Sequence, residues 1–71
     1  MAKVGDKVLY RLYNGVEKKF YGNLQKAKLL KIDHTHYEGK SNRPYHVRNL
    51  ETGYELWVSG KEFIRPAIAN N

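Results

Sequence analysis

The short-range alternation of apolar and polar residues constrains this chain more than any other feature. Val8, Tyr10 and Leu12 occupy every second position of their segment, which is the spacing of inward-facing side chains in a β-strand. Isolated glycines separate this segment from further short runs of the same kind. The 71 residues include no cysteine, so the core must form without disulfides or Cys-ligated zinc. The pattern predicts one all-β domain over residues 1–71.

Four strands are predicted, over residues 4–12, 25–33, 45–50 and 54–58. In the second, the apolar spacing changes from two to three between Leu29 and Ile32, which indicates a β-bulge at Leu30. A helix is the alternative for this segment because its helix propensities are good, but the surrounding β pattern favours a strand. Glu51-Thr52-Gly53 predicts the tight turn of a hairpin between the last two strands.

The remaining segments are predicted from their turn residues. Asn14-Gly15 is the strongest hairpin-turn signal of the chain, and residues 16–21 are candidates for a short returning ribbon before Gly22-Asn23 breaks the pattern. Residues 13–25 are therefore expected to form a long mobile loop; a packed ribbon in which Val16 and Phe20 cover one end of the fold is the alternative. Residues 59–66 are too short for a helix and predict a single 3₁₀ turn, and residues 67–71 are expected to fray. The predicted core consists of Val8, Tyr10, Ala27, Leu29, Ile32, Val47, Leu56, Val58 and Ile64.

The order of these segments resembles a known group of folds. Four segments look like those of the SH3-like small barrels of the Tudor, KOW and chromo-like type. They are Val4-Gly5-Asp6-Lys7-Val8, residues 27–32, the hairpin around Glu51-Thr52-Gly53 and the terminal Phe63-Ile64-Arg65-Pro66. The resemblance covers roughly residues 3–66 and implies an SH3-like barrel of four to five antiparallel strands with a terminal 3₁₀ turn. Closure would also remove exposed sheet edges. Members of the group bind RNA, DNA, methylated side chains, proline-rich peptides or RNA polymerase, so the fold alone selects no function.

The charge balance points to an anionic partner. Thirteen Lys and Arg against seven Asp and Glu leave a formal net charge of +6, and such a field attracts phosphate polymers. Cations that contact phosphates and aromatic rings that stack on bases are the means by which sequence-tolerant binders hold nucleic acid, RNA or DNA. The predicted nucleic-acid-binding residues are Lys18, Lys19, Tyr21, Lys26, Lys28, Tyr37, Arg43, Arg48 and Trp57.

Other functions are weighed against this one. A protein-binding adaptor or inhibitor that docks on a larger host protein is the main alternative. A cage for methylated cations from Tyr37, Tyr45, Tyr54 and Trp57 and a polyproline groove from Tyr10, Tyr13 and Trp57 are less favoured, because aromatic residues commonly fill strands. His34, His36 and His46 offer imidazoles to a metal, but exposed histidines without a ligand are the commoner case.

No enzymatic function is expected, since the carboxylates show no paired spacing and neither Ser41 nor Ser59 has an evident base. No cofactor is expected either. The chain contains no apolar run of the length that spans a bilayer and begins without the apolar stretch of a signal peptide, so we expect a cytoplasmic protein without a membrane partner. The oligomeric state is left open.

Overall fold

The computed structural model describes residues 2–66, and these residues form seven strands. The strands are β1 (Lys7–Asn14), β2 (Lys19–Ile32), β3 (Tyr37–Glu38), β4 (Ser41–Asn42), β5 (Tyr45–Asn49), β6 (Glu55–Val58) and β7 (Phe63–Pro66). The all-β prediction is confirmed for the described residues. None of these residues lies in a helix long and apolar enough to cross a bilayer. The expected frayed tail, residues 67–71, lies outside the described residues.

Five of the strands form one antiparallel sheet in the order β6-β5-β2-β1-β7, and β3 and β4 form a separate two-stranded ribbon. The central strand β2 is the longest, with 14 residues, and it pairs with β1 on one side and β5 on the other. β6 and β7 are the two edges of the sheet, which is therefore open among the described residues. The turn between β5 and β6 closes the hairpin that Glu51-Thr52-Gly53 predicted.

The inner face of the sheet carries the core. The alternation of β1, β2, β5 and β6 places every second side chain on this face, and the buried apolar residues are Val8, Tyr10, Ala27, Leu29, Val47 and Val58. Ile32 and Leu56 pack against them at partial burial, as does Phe63. Ile64 was predicted for the core but is 38% exposed. The prediction is wrong because Phe63 faces inward from β7 in register with Tyr10, which turns the next residue outward.

The β-bulge predicted at Leu30 is confirmed. The pairing of β2 with β5 shifts between Leu29 and Lys31, so that Leu29 lies opposite Val47 and Lys31 lies opposite His46. One extra residue in a strand moves the following side chains to the other face. Lys31 therefore stays on the outer face while Ile32 turns inward.

Residues 13–25 are not the mobile loop that the sequence predicted. β1 extends to Asn14 and β2 begins at Lys19, so the segment is a hairpin arm with Leu12 opposite Tyr21 and a turn over residues 15–18. The Asn14 side chain accepts hydrogen bonds from the backbone N–H groups of Val16 and Glu17, which stabilise the turn. The prediction failed because the two strands supply the hydrogen-bond partners of each other's backbone groups. The turn residues considered alone suggest an irregular backbone.

The arm also differs from the packed ribbon considered as an alternative. Val16 is 91% exposed and covers nothing. Phe20 instead lies edge-to-face against Tyr13, its cross-strand neighbour, with 5.0 Å between the ring centroids. These two rings therefore pack on each other, while the Tyr13 N–H at the base of the arm donates a hydrogen bond to the Glu62 carboxylate.

The terminal segment combines a turn with a strand. Within residues 59–62 the backbone N–H of Glu62 donates to the Ser59 carbonyl at 3.1 Å, and the N–H of Phe63 donates to the same oxygen at 2.9 Å. The 3₁₀ turn predicted over residues 59–66 is wrong for residues 63–66, which form β7. The physical reason is that β1 offers a second edge, and an added strand satisfies backbone groups that a turn would leave unpaired.

Candidate functional site

The outer face of the sheet brings three cationic side chains into one register row. Lys28 on β2 lies opposite Lys7 on β1 and opposite Arg48 on β5. Directly paired residues of neighbouring strands share a face, and neighbouring strands are about 4.8 Å apart. The three cations therefore form a line across the middle of the sheet.

Two further cations lie on the same face of β2, before and after Lys28. Lys26 lies opposite Leu9, and its carbonyl accepts a hydrogen bond from the Leu50 N–H at 3.0 Å. Lys31, after the bulge, lies opposite His46. We define the basic face as five exposed cations of β1, β2 and β5 outside the hairpin arm, which are Lys7, Lys26, Lys28, Lys31 and Arg48.

One carboxylate belongs to the same face. Glu55 lies opposite Arg48 and accepts hydrogen bonds from its guanidinium at 2.7 Å and 3.1 Å. The hydrogen bond from Arg48 holds the pKa of Glu55 below its usual value, with smaller contributions from the charges of Arg48 and His46. Glu55 also lies 3.7 Å from the His46 ring. Arg48 is the one member of the basic face that is ion-paired among residues 2–66, so the face keeps a net positive charge.

A second register row runs from Lys31 on β2 through His46 on β5 to Trp57 on β6. Trp57 lies opposite His46 on the outer face and is half-buried. The His46 ring stacks on the indole with centroids 4.7 Å apart and an interplanar angle of 15°, and the His36 ring stacks on it at 3.8 Å and 18°. The basic face thus continues into a stack of three nearly parallel aromatic rings.

The loop before β3 positions His36 on this stack. The Asp33 carboxylate accepts hydrogen bonds from the Thr35 hydroxyl and N–H, and the His36 N–H donates to the Asp33 carbonyl. The side-chain and backbone hydrogen bonds from Thr35 lower the pKa of Asp33. The His36 ring nitrogen lies 3.3 Å from a Glu38 carboxylate oxygen. Hydrogen bonds within residues 33–38 therefore fix the loop that places the His36 imidazole against the indole of Trp57, which is distant in sequence.

Arg43 was predicted to bind nucleic acid, but its guanidinium is already occupied. It donates to the Glu62 carboxylate at 2.6 Å and to the Trp57 carbonyl at 3.3 Å. The Glu62 side chain is 3% exposed and that of Arg43 is 25% exposed. Because this carboxylate is buried, the ion pair contributes to the fold, and little of the Arg43 charge is directed to a ligand.

Three other predicted residues lie on the hairpin arm. Lys18 lies in the turn, Lys19 lies 3.6 Å from Glu17, and Tyr21 is half-exposed. Lys19 lies opposite Asn14 and Lys26 lies opposite Leu9, and the five residue steps from Leu9 to Asn14 along β1 correspond to roughly 16 Å at about 3.3 Å per residue. The structure therefore separates the arm residues from the basic face.

The remaining predicted aromatic residues do not converge. Tyr37 is 59% exposed on β3, Tyr45 stacks on Phe63 with centroids 4.1 Å apart, and Tyr54 is exposed in the turn before β6. A cage from Tyr37, Tyr45, Tyr54 and Trp57 is therefore not formed, and the burial of Tyr10 leaves no surface for the polyproline groove. Among residues 2–66 no group of three His, Asp or Glu side chains is placed to hold a metal ion.

Of the predicted site, the structure unites Lys26, Lys28, Arg48 and Trp57 on one face. Sequence reasoning missed Lys7 and Lys31 as members of this face. Strand alternation places Lys7 on the face opposite to the buried Val8, so the sequence could have indicated that Lys7 belongs to the outer face. The outward position of Lys31 depends on the bulge at Leu30. No protein-family model matches the chain, and neither a curated protein nor a solved structure matches it significantly.

Proposed function

We propose that this protein is a small binding module for nucleic acid, with little sequence specificity, and that the basic face is its interface. The observation that carries the proposal is the register row of Lys7, Lys28 and Arg48. Like charges directly opposite each other in a sheet destabilise the pairing. Among residues 2–66 the carboxylate of Glu55 pairs with Arg48, whereas Lys7 and Lys28 have no ion-pair partner, so this cost is offset only in part inside the fold. A phosphate backbone lying across the row would offset it.

The chemistry of the face supports low sequence specificity. Lysines bind phosphate as point charges and carry no information about bases. The stacked rings of Trp57, His36 and His46 offer aromatic faces, on which any base can stack. We propose no catalytic step, because the face combines cations and rings without a nucleophile that has a neighbouring base.

For the fold we propose an SH3-like small barrel of the Tudor, KOW and chromo-like type. The support is a first strand that pairs with both the second long strand and the last one, and a second strand bent by a bulge at Leu30. Bulges of this kind allow a short sheet to curl on itself. A solved structure in which β6 and β7 lie far apart with no shared core would contradict this assignment.

Binding to labelled oligonucleotides tests the proposed function. We expect binding of mixed-sequence single or double strands at about 50 mM salt, and a slope of log K against log [salt] of about −3 if four to five phosphates are neutralised on a single strand. The measurement is fluorescence anisotropy over a salt series. Absence of binding to every DNA and RNA strand at low salt would overturn the proposal.

A protein-binding adaptor is the second candidate, and one surface favours it. A groove at the junction of β2 and the β5–β6 turn exposes Leu24 and Leu50 at 54% and 48%; its lining is Asn23, Leu24, Gln25, Lys26, Leu50 and Glu51. For this function we expect a 1:1 complex that tolerates salt and nuclease and is weakened by Leu50→Ser. A pull-down with and without nuclease separates the two functions.

A further inference from the structure

The place of Trp57 on the sheet indicates which form of nucleic acid fits. Trp57 shares the outer face with Lys31, through His46 between them, and Arg48 lies two residues from His46 on the same strand and face. Cations and a stacking platform are therefore neighbours on one surface. A strand whose phosphates contact the lysines has its bases within reach of the rings.

The geometry of the ring stack fits an added base. The three rings deviate by only 15° and 18° from parallel, and their centroids lie 3.8 Å and 4.7 Å apart, which corresponds to offset stacking. His36 comes from the loop between β2 and β3, outside the five-stranded sheet. A base can stack against the imidazoles or take the place of the His36 ring on the indole.

The width of the five-stranded sheet that carries the basic face disfavours entry into a duplex groove. The major groove of B-form DNA is about 12 Å wide and admits a helix or a two-stranded ribbon, whereas five strands at about 4.8 Å spacing form a surface roughly 19 Å across. The Lys7, Lys28 and Arg48 row runs across the middle three strands of this surface. Leu9 and Leu50 flank Lys26, and apolar side chains suit contact with unpaired bases better than with a phosphate backbone.

From these observations, and on the basis of the proposed function, we infer that the basic face selects single-stranded nucleic acid and that a base stacks on the ring cluster of Trp57, His36 and His46. The cations on β1, β2 and β5 hold the phosphates. The rings supply the preference for unpaired bases, because the faces of paired bases are covered within a duplex.

Intrinsic fluorescence tests this inference directly, because Trp57 is the one tryptophan in the sequence. Titration with a mixed-sequence single strand of about 15 nucleotides, as DNA and as RNA, is compared with the matching duplex. We expect at least ten-fold tighter binding of a single strand and quenching of the Trp57 emission as the complex forms. The DNA and RNA arms show which sugar is preferred.

Variants separate stacking from fold. Trp57→Ala should lower single-strand affinity five-fold or more, and Trp57→Phe, which keeps an aromatic face, should restore most of it. Tyr54→Ala is the matched control, because Tyr54 is 67% exposed and lies outside the ring cluster; its affinity should be unchanged. If Trp57→Ala fails to fold, the inference is decided in the wild-type protein, by the quenching of Trp57 emission and by the comparison of single-strand with duplex affinity.

The outcomes distinguish this inference from the function on which it rests. Absence of binding to any strand overturns both. Binding of the duplex as tightly as the single strand, unquenched Trp57 emission in a formed complex, or full affinity in folded Trp57→Ala overturns the single-strand inference alone. Quenching by the single strand together with the Trp57→Phe rescue supports it.

Discussion

At the scale of single residues, the buried Glu62 carboxylate connects three segments of the chain. One oxygen accepts hydrogen bonds from the Arg43 guanidinium at 2.6 Å, the Ser59 N–H at 3.0 Å and the Ser59 hydroxyl at 3.2 Å. The other oxygen accepts the Tyr13 N–H at 3.0 Å. A buried carboxylate is stable only when it is paired and hydrogen-bonded. Glu62 therefore ties the β1 end, the last turn and the β4–β5 connection together.

Arg43→Met tests this connection. Removal of the guanidinium leaves the Glu62 carboxylate buried without its cation, and we expect a loss of about 2 to 4 kcal/mol in the free energy of unfolding. Urea denaturation measures the loss, and oligonucleotide affinity should change less than two-fold at a temperature where the variant is folded.

The matched control is Arg48→Met, which removes an arginine of the basic face. Its ion pair with Glu55 joins side chains that are 51% and 41% exposed, so the loss of stability should be much smaller than that of Arg43→Met. Its oligonucleotide affinity should fall several-fold. If both variants lost the same stability and the same affinity, the division between a structural and a binding arginine would be wrong.

Thr35→Val tests the hydrogen bonds that fold the loop bearing His36. Without the Thr35 hydroxyl, the pKa of Asp33 should rise toward its ordinary value, as followed by NMR of the Asp33 carboxyl carbon. In the wild type the folded-state pKa lies below the unfolded one. The contribution of this carboxylate to stability is therefore present at neutral pH and is lost as the pH falls through the folded-state value. An Asp33 pKa that is equal in both proteins would contradict this account.

At the scale of secondary-structure elements, the hairpin arm and the basic face carry separate sets of lysines. Lys18 and Lys19 lie at the tip of the arm, while Lys26 and Lys28 lie on the same strand, β2, where it crosses the sheet. Both pairs contribute two positive charges. A difference in oligonucleotide affinity between variants of the two pairs therefore reflects the position of the lysines rather than the net charge.

We expect Lys26→Gln/Lys28→Gln to lower oligonucleotide affinity about ten-fold or more, and Lys18→Asn/Lys19→Gln to lower it less than about three-fold. Asn is chosen at position 18 because Lys18 has a φ of 56°, which Asn tolerates better than most residues. Both double variants should keep a melting temperature close to that of the wild type, since exposed lysines contribute little to folding. Equal losses of affinity would place the arm within the interface.

At the scale of the whole molecule, stability depends on one thin apolar layer. A domain of this size buries only about 60% of the surface that its unfolded chain exposes, and its free energy of unfolding is on the order of 4 to 10 kcal/mol. Leu29 is among the largest fully buried side chains and lies at the centre of the sheet. A cavity at this position affects the whole fold.

Leu29→Ala should lower the free energy of unfolding by about 3 kcal/mol, because it removes buried methyl groups and leaves a cavity. Leu24→Ala makes the same chemical change at a side chain that is 54% exposed, and it should cost less than about 1 kcal/mol. Thermal unfolding of both variants measures the difference. Similar losses would mean that the core is centred elsewhere.

Much of the fold could be predicted because strand alternation is a local property of the chain. The spacing of Val8, Tyr10 and Leu12 indicated β1, and the change of spacing before Ile32 located the bulge. The arm over residues 13–25 could not be predicted in the same way. Asn14-Gly15 favoured a hairpin turn but Gly22-Asn23 suggested a further break, and only the pairing of β1 with β2, as between Leu12 and Tyr21, decides for a hairpin.

The candidate site likewise depends partly on local strand alternation and partly on tertiary contacts. The sequence by itself determined that Lys26 and Lys28 share one face of a strand, because side chains two residues apart point the same way. Only the tertiary structure decided that Lys7 and Arg48 flank Lys28, that His36 stacks on Trp57 and that Arg43 is occupied by Glu62. These are contacts between distant segments, and their register depends on how all the strands bury their apolar faces together, which no local spacing specifies.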